Sequence, residues 1–279
     1  MQTETITGVT YQEKMTSIMK MLEQGIKDVF TSGRYQEYLT AMSKFHHYSY
    51  NNVMLILMQK PDSTHVAGFH TWKSLGRSIK KGSVGIRILA PMIKKLDQDE
   101  LSADDQTVIC GFRIVSIFDI DQTEGATLPT MSEELKATCD CADDFEKAIR
   151  SIADCPIEYA ALQGRVKGYY DLVMHKIVIK ENMSDTMRIK VMCHERCHSR
   201  LDRKDAQADQ KDRETREVIA ESVAFTIMQY FGVDTSSYSW GYIAGWSKTQ
   251  ELTELSSSLS LIQKESDKLI KLISEQMTL

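Results

Sequence analysis

Residues 168–201 read GYYDLVMHKIVIKENMSDTMRIKVMCHERCHSRL, and this stretch decides the fold of the second half of the chain. It ends in His194-Glu195-Arg196-Cys197-His198, an HExxH pattern inside a run, Met187–Leu201, that reads as helix. Two histidines four apart lie one helical turn apart on the same face, so both imidazoles can reach one ion. Glu195 then projects beside that ion, where a carboxylate can take a proton from a coordinated water, as in zinc-dependent hydrolases. Upstream, Asp171–Lys180 is rich in β-branched residues and reads as a strand. Residues 181–184 turn the chain, and Ser184 with Asp185 makes an N-cap for the motif helix. The plainer reading of HExxH is a polar helix face, and the pattern alone does not choose.

A mononuclear zinc site needs a third protein ligand and an open position for water. Thr215–Tyr230, TREVIAESVAFTIMQY, reads as a helix with Glu217 and Glu221 one turn apart and Ala220, Ala224 and Phe225 on its packing side. Glu217 is the preferred ligand, with Glu221 behind it holding a ligand histidine by its second ring nitrogen; the reverse assignment stays open. Strand, turn, HExxH helix and carboxylate helix follow in the order of a zincin core, whose strand can align an extended substrate by backbone pairing. His175 reads as a strand or surface histidine. Cys193 and Cys197 abut the motif histidines, but neighbours on a helix point about 100° apart, so they face elsewhere and read as packing residues. Cys139-x-Cys141 has no partner pair at zinc spacing. Tyr238 or Tyr242 could donate to a tetrahedral oxyanion, although aromatic packing is the plainer role for both.

The 279 residues suit two domains, and 42% hydrophobic with 26% charged residues suits globular cores. Apolar runs fall far short of the roughly 20 residues that span a membrane. The start of the chain lacks a secretory pattern, and the six cysteines lack framework spacing, so we expect no membrane partner, free thiols and a reducing cytoplasm. A polar stretch divides the chain, predicting an α+β protein of two domains, residues 1–127 and 146–279, with a linker at 128–145. Tyr11–Val29, Tyr35–Phe45, Asn51–Gln59 and Leu252–Ile273 read as helices; Val66–Phe69, Gly85–Leu89 and Cys110–Ile120 read as strands; Asp202–Arg216 reads as a solvated loop.

The formal net charge of −5 hides an uneven distribution. Residues 60–95 carry eight basic side chains, among them Lys73, Arg77, Lys80 and Lys81, against the single acid Asp62. Phe69, His70 and Trp72 are interleaved, and Phe45, Tyr48 and Tyr50 come just before. Cations beside aromatic rings suit single-stranded nucleic acid, with phosphates on the charges and unstacked bases on the rings. Composition alone favours the plainer reading, a basic surface over an aromatic core.

Further motifs shift that balance. Residues 48–91 contain Ser49, Asn51 and Asn52; Gln59 and Pro61; Gly68, Phe69, Trp72, Gly76 and Arg77; Lys80, Lys81 and Gly82; and Pro91. Phe118, Asp119, Gln122 and Thr123 follow. In this order they resemble the N-terminal domain of the ArdC family of plasmid antirestriction proteins, over roughly residues 10–127. The resemblance implies a single-stranded DNA-binding domain, for which Tyr50, Asn51, Asn52, Trp72, Lys73, Arg77, Lys80 and Lys81 are the candidate contacts. The second half is similar to the metallopeptidase-type domain that commonly follows in that family and to ImmA/IrrE-type zincins. Their HExxH and Glu-x-x-Ala-x-x-x-Ala patterns are matched at Glu217, Ala220 and Ala224, which favours Glu217 as ligand. Glu221 departs from a commonly amide-bearing position, and Arg196-Cys197 from smaller or apolar residues.

The sequence therefore predicts a mobile-element-type protein that binds single-stranded DNA and carries a zinc peptidase site. His194, His198 and Glu217 would hold Zn2+, Glu195 would act as general base, and an unknown protein or peptide would be the substrate. The alternatives are an antirestriction protein that coats single strands and uses the metal structurally, and a protease that cuts a DNA-bound regulator.

Overall fold

The computed structural model describes residues 10–95, 107–127, 142–203, 211–233, 235, 238, 240, 241 and 243–277. They form a mixed α+β chain of two units, one comprising residues 1–25 and 51–128 and the other 26–50 and 129–279. Residues 26–50, which the sequence reading places with the N-terminal domain, thus cluster with the C-terminal unit. Helix α1 (Tyr11–Thr31) contributes to both units, and α2 (Tyr35–Lys44) to the second.

In the first unit, α3 (Tyr50–Gln59) enters with an apolar face, Val53 to Leu57 being buried. The strands β1 (Val66–Gly68), β3 (Ile86–Lys95) and β4 (Thr107–Asp119) form an antiparallel sheet in the order β1-β4-β3. Ile86 and Ile117 pair across it and are buried. A short helix, α4 (Phe69–Ser74), follows β1 directly, so the expected strand Val66–Phe69 stops one residue early. β2 (Arg77–Ile79) pairs with β5 (Thr123–Gly125).

β3 is an edge strand, and an open edge leaves backbone groups unpaired. Asn52 and Gln59 close it. They lie seven residues apart, on one face of α3. The Asn52 amide accepts from Leu89 N–H at 2.9 Å and donates to Leu89 C=O at 2.8 Å. Gln59 does the same at Arg87, at 2.9 and 2.8 Å. Asp119 is buried and plays an analogous part at the sheet's end, accepting from the backbone N–H groups of Thr64, His65 and Asp121.

In the second unit, β6 (Ile157–Ala160), β7 (Gly168–Asp171) and β8 (Lys176–Lys180) form a sheet in the order β6-β8-β7, parallel between β6 and β8 and antiparallel between β7 and β8. The single strand expected over Asp171–Lys180 is instead the end of a hairpin, because the Asp171 carboxylate accepts from Val173 and Met174 N–H and folds a turn there. Helix α6 (Asp185–Leu201) carries the HExxH residues, with Ser184 capping it at Met187 N–H. Helix α7 (Arg213–Tyr230) is buried on most of its surface and packs against α2, α6 and α9 (Leu252–Met277). Its first turn, capped by Asp212, occupies the end of the segment expected to be loop. Helices α5 (Ala142–Ser151) and α8 (Ile243–Ser247) complete the unit. No helix among the described residues is long and apolar enough to cross a membrane.

Candidate functional site

Helices α6 and α7 pack side by side, and this contact brings together residues 23 positions apart in sequence. His194 and His198 lie one turn apart, their rings edge to face and their Nε2 atoms 3.1 Å apart. Glu217 projects from α7 so that its Oε2 lies 3.3 Å from His194 Nε2 and 3.7 Å from His198 Nε2. These three atoms form the one cluster among the described residues in which three ligand-type side chains converge. Ligands held about 2.0–2.1 Å from a tetrahedral zinc stand roughly 3.3–3.4 Å from each other. The three edges of the triangle scatter around that spacing, so the donor set and its size both fit a divalent ion.

The outward-facing ring nitrogens are also held. His194 Nδ1 lies 3.1 Å from Glu221 Oε2, and His198 Nδ1 lies 2.9 Å from Asp202 Oδ2. Each imidazole therefore has one nitrogen fixed by a carboxylate and the other aimed at the centre, the arrangement that orients metal-binding histidines. Burial works against charge on both rings, but their carboxylate partners outweigh it. Hydrogen bonds to Glu217 and Glu221 lift His194 to about 9, and those to Asp202 and Glu217 lift His198 to about 10. Hydrogen bonds to the two histidines hold Glu217 well below the usual carboxylate range.

Glu195 is buried beside this cluster. Burial pushes its carboxyl upward, only partly countered by the neighbouring imidazoles and by a hydrogen bond from the Tyr170 N–H. The last contact ties Glu195 to β7, an outer strand of its sheet. Gly168 makes the approach of strand to helix feasible, since a Cβ there would lie 2.6 Å from Val191 Cγ1 and 3.0 Å from Val178 O. A cavity of about 510 Å³, lined by His194, Arg213, Glu214, Glu217 and Glu221, opens next to the cluster.

Other residues weighed from sequence lie elsewhere. Cys193 and Cys197 are buried free thiols outside the cluster, and burial pushes Cys193 up to about 12. Cys110 and Cys155 are also free, while Cys139, Cys141 and Tyr242 lie outside the described residues. Tyr238 is buried with its hydroxyl on Met228 Sδ, which is a packing role. His175 bonds the Tyr170 hydroxyl at 2.8 Å. Asp202 escaped the sequence reading, although its place four residues after His198 is the spacing that lets it reach that ring.

The candidate DNA contacts divide sharply. Trp72 is 2% exposed and donates from Nε1 to Phe118 C=O at 2.9 Å, so its ring cannot serve as a stacking platform. Asn52 is spent on β3. Arg77 is engaged by Thr123 and the Ala126 carbonyl, tying β2 to β5. In all three the side chain is engaged within the first unit, satisfying buried or paired backbone. Lys73, Lys80 and Lys81 are exposed, Lys80 reaching the Asp121 carbonyl at 2.8 Å. Tyr50 and Asn51 are half-buried at the start of α3, and Tyr50 belongs to the second unit. Phe69, at 51% exposure, and His70 stand as neighbouring open rings in the basic segment, 5.5 Å apart.

A two-histidine helix facing a carboxylate helix, with a strand alongside, defines the second unit as a zincin-type domain. Residues 156–235 match the IrrE N-terminal-like domain of the M78 peptidases, and residues 9–118 match the N-terminal domain of the anti-restriction factor ArdC. The chain thus joins a segment similar to the ArdC N-terminal domain to one similar to the IrrE N-terminal-like domain. It is 24% identical, over 85% of its length, to the uncharacterized protein pXO2-81 of Bacillus anthracis, of which it covers 47%. The chain therefore spans about half the length of that relative. Among solved structures, the metal-free antirestriction protein ArdC from the R388 plasmid shares its fold with a TM-score of 0.53 and 18% identity, covering 82% of this chain and 84% of that one. The Mn(II)-bound structure of the same protein gives a TM-score of 0.49 at 18% identity, over 81% and 84% of the two chains.

Proposed function

We propose that the C-terminal unit is a metal-dependent peptidase, with zinc as its ion, carried by a chain whose N-terminal domain binds single-stranded DNA. The observation that carries the peptidase reading is the convergence of His194 Nε2, His198 Nε2 and Glu217 Oε2 beside the buried Glu195. When bound there, zinc would supply Lewis acidity, activating water near neutral pH and polarising a carbonyl. Glu195 is the group that accepts and returns the proton at its carboxylate; its raised pKa brings it nearer to working pH. Tyr170 N–H orients that carboxylate, and β7 offers an extended peptide a strand to pair with. The substrate would be a protein segment in extended form, whether free or part of a DNA-bound regulator.

The DNA reading rests on the exposed cations Lys73, Lys80 and Lys81, with Phe69 and His70 as the open rings in place of Trp72. A metal that only staples two helices is the competing view. Against it stand Glu195, which a staple does not need, and the cavity beside the cluster.

The test is metal analysis of protein purified without chelator, followed by mass-spectrometric readout of a degenerate decapeptide library. We expect one zinc per chain and cleavage that Glu195→Gln abolishes while keeping the zinc. Zinc without any cleavage by the native protein would favour the staple, and cleavage unchanged by Glu195→Gln would remove that residue from the mechanism.

A further inference from the structure

Two carboxylates one turn apart on α7 both reach His194, and side-chain type does not say which of them takes the ion. A glutamate freed to rotate could replace its neighbour as ligand or add itself as a fourth, closing the position that a substrate needs. One neighbouring side chain bears on that choice. Lys190, one turn before His194 on α6, places its Nζ 2.7 Å from Glu221 Oε1. The other oxygen of Glu221 is on His194 Nδ1 at 3.1 Å. Both oxygens of Glu221 are therefore engaged on the far side of the His194 ring, whereas Glu217 presents an oxygen to the Nε2 atoms of both histidines.

Lys190 is itself fixed. Its Nζ sits 3.6 Å from the centroid of the Tyr238 ring, and its side chain is only 17% exposed. Tyr238 is in turn stacked on Trp240 and packed edge-on against Phe225. An ammonium over an aromatic face and against a carboxylate is held from two directions. A lysine that bridged only the helices would not need the aromatic seat.

We propose that Lys190 is a positioning residue that assigns the two glutamates their roles: it pins Glu221 as the hydrogen-bond partner of His194 and so reserves the ion for Glu217. The proposal rests on the metal reading of the cluster and adds to it a rule for the choice of ligand. It predicts that removing the pin changes which carboxylate can coordinate.

The probe is cobalt(II) alone, titrated into the metal-stripped full chain, reading affinity by chelator competition and ligand environment by the visible spectrum. Glu217→Ala should weaken binding more than about 100-fold, beyond what loss of an outer partner costs. Lys190→Met should weaken it about tenfold and alter the spectrum, and Lys190→Arg, which keeps the charge and the aromatic contact, should restore both. In the double variant Lys190→Met with Glu217→Ala, the released Glu221 should regain at least about tenfold of the affinity lost by Glu217→Ala alone. Circular dichroism and a thermal melt of each metal-free variant confirm that the comparison is between folded proteins. The proposal is overturned if the double variant binds no better than Glu217→Ala, or if Lys190→Met leaves affinity and spectrum unchanged. Failure of the native protein to bind cobalt or zinc would sink the metal reading itself, a result separable from either of these.

Discussion

Asn52 belongs to the motif that suggested DNA contact, and replacing it with alanine separates a structural role from a binding one. The residue is 7% exposed, and its side chain accepts from the N–H of Leu89 at 2.9 Å and donates to its C=O at 2.8 Å. Asn52→Ala removes the side-chain partner of both backbone groups of Leu89 on the edge of β3. An unsatisfied buried polar group costs about 1–3 kcal/mol. Leu89 is half-buried, so the lower part of that range applies to each group, and the pair sums to about 2–4 kcal/mol. For a unit of this size each kcal/mol moves the midpoint by roughly 4–8 °C, so the first unit should melt about 8–32 °C earlier. Trp72, the sole tryptophan of that unit and buried within it, reports the transition by fluorescence. Below that melting point, affinity for a fluorescent oligonucleotide, measured by anisotropy, should match the native protein. Undiminished stability together with a tenfold or greater loss of DNA affinity would refute the reasoning and return Asn52 to the DNA surface.

The same logic opposes Trp72 to Phe69. Trp72→Leu should lower stability, while Phe69→Ala should leave stability nearly unchanged and weaken single-strand binding by about 5–100-fold, as expected for one stacked base; the reverse pattern in anisotropy and melting would reject it. Around the metal cluster, Glu221→Gln and Asp202→Asn should each reduce zinc affinity about 10–100-fold, and parity with the native protein in chelator competition would deny them their orienting role. Acid stability should respond to Glu146. Burial raises its pKa, but hydrogen bonds from Tyr159 and Arg150 and the charges of Arg150 and Arg188 bring it below the usual value. Because the folded pKa is depressed, its stabilisation is present above the unfolded pKa and disappears as pH falls through the folded one. Glu146→Gln should therefore flatten the melting-temperature curve below about pH 4.5, and an unchanged acid limb would argue against the coupling.

Much of the site was legible because helical spacing does the work. His194 and His198 announce a shared face, and Glu217 and Glu221 repeat that spacing on the next helix. The helices themselves carried strong apolar periodicity, and α2, α3, α6, α7 and α9 lie where their sequences place them, within a few residues. The hairpin at β7 and β8 was hidden because Leu172, Val173 and Met174 are strand-forming residues standing in a turn, 50%, 91% and 66% exposed. The local hydrogen bonds of Asp171 outweigh their propensity. Burial was the least legible property. Nothing in the spacing of the basic segment tells that Trp72 faces inward and Phe69 outward, since that depends on how β4 crosses α4. Four members of the motifs that carry the ArdC resemblance, Asn52, Gln59, Arg77 and Asp119, hold strand edges and ends together through hydrogen bonds that the spacing of the motifs does not reveal.

Gly168 offers the means to separate holding the metal from using it. The three converging side chains lie on α6 and α7, whereas the strand that steadies Glu195 is β7. An alanine at 168 would set its Cβ 2.6 Å from Val191 Cγ1, 3.0 Å from the Val178 carbonyl and 3.4 Å from Glu195 Cγ. Val191 is β-branched on a helix and has little rotamer freedom, and the carbonyl belongs to the partner strand, so β7 must yield. Overpacking of this kind costs about 1–3 kcal/mol, and a thermal melt of the variant shows that the unit remains folded in the assay. With β7 displaced from α6, Tyr170 N–H no longer meets the Glu195 carboxylate, and an extended peptide no longer lies beside it. Gly168→Ala should therefore retain zinc affinity close to native and lose most peptide cleavage, a split visible by running chelator competition and the peptide-library assay on one preparation. Loss of zinc in parallel with cleavage would mean that β7 supports the helices and not the base. Full cleavage would mean that neither the strand nor its hydrogen bond to Glu195 matters to the chemistry.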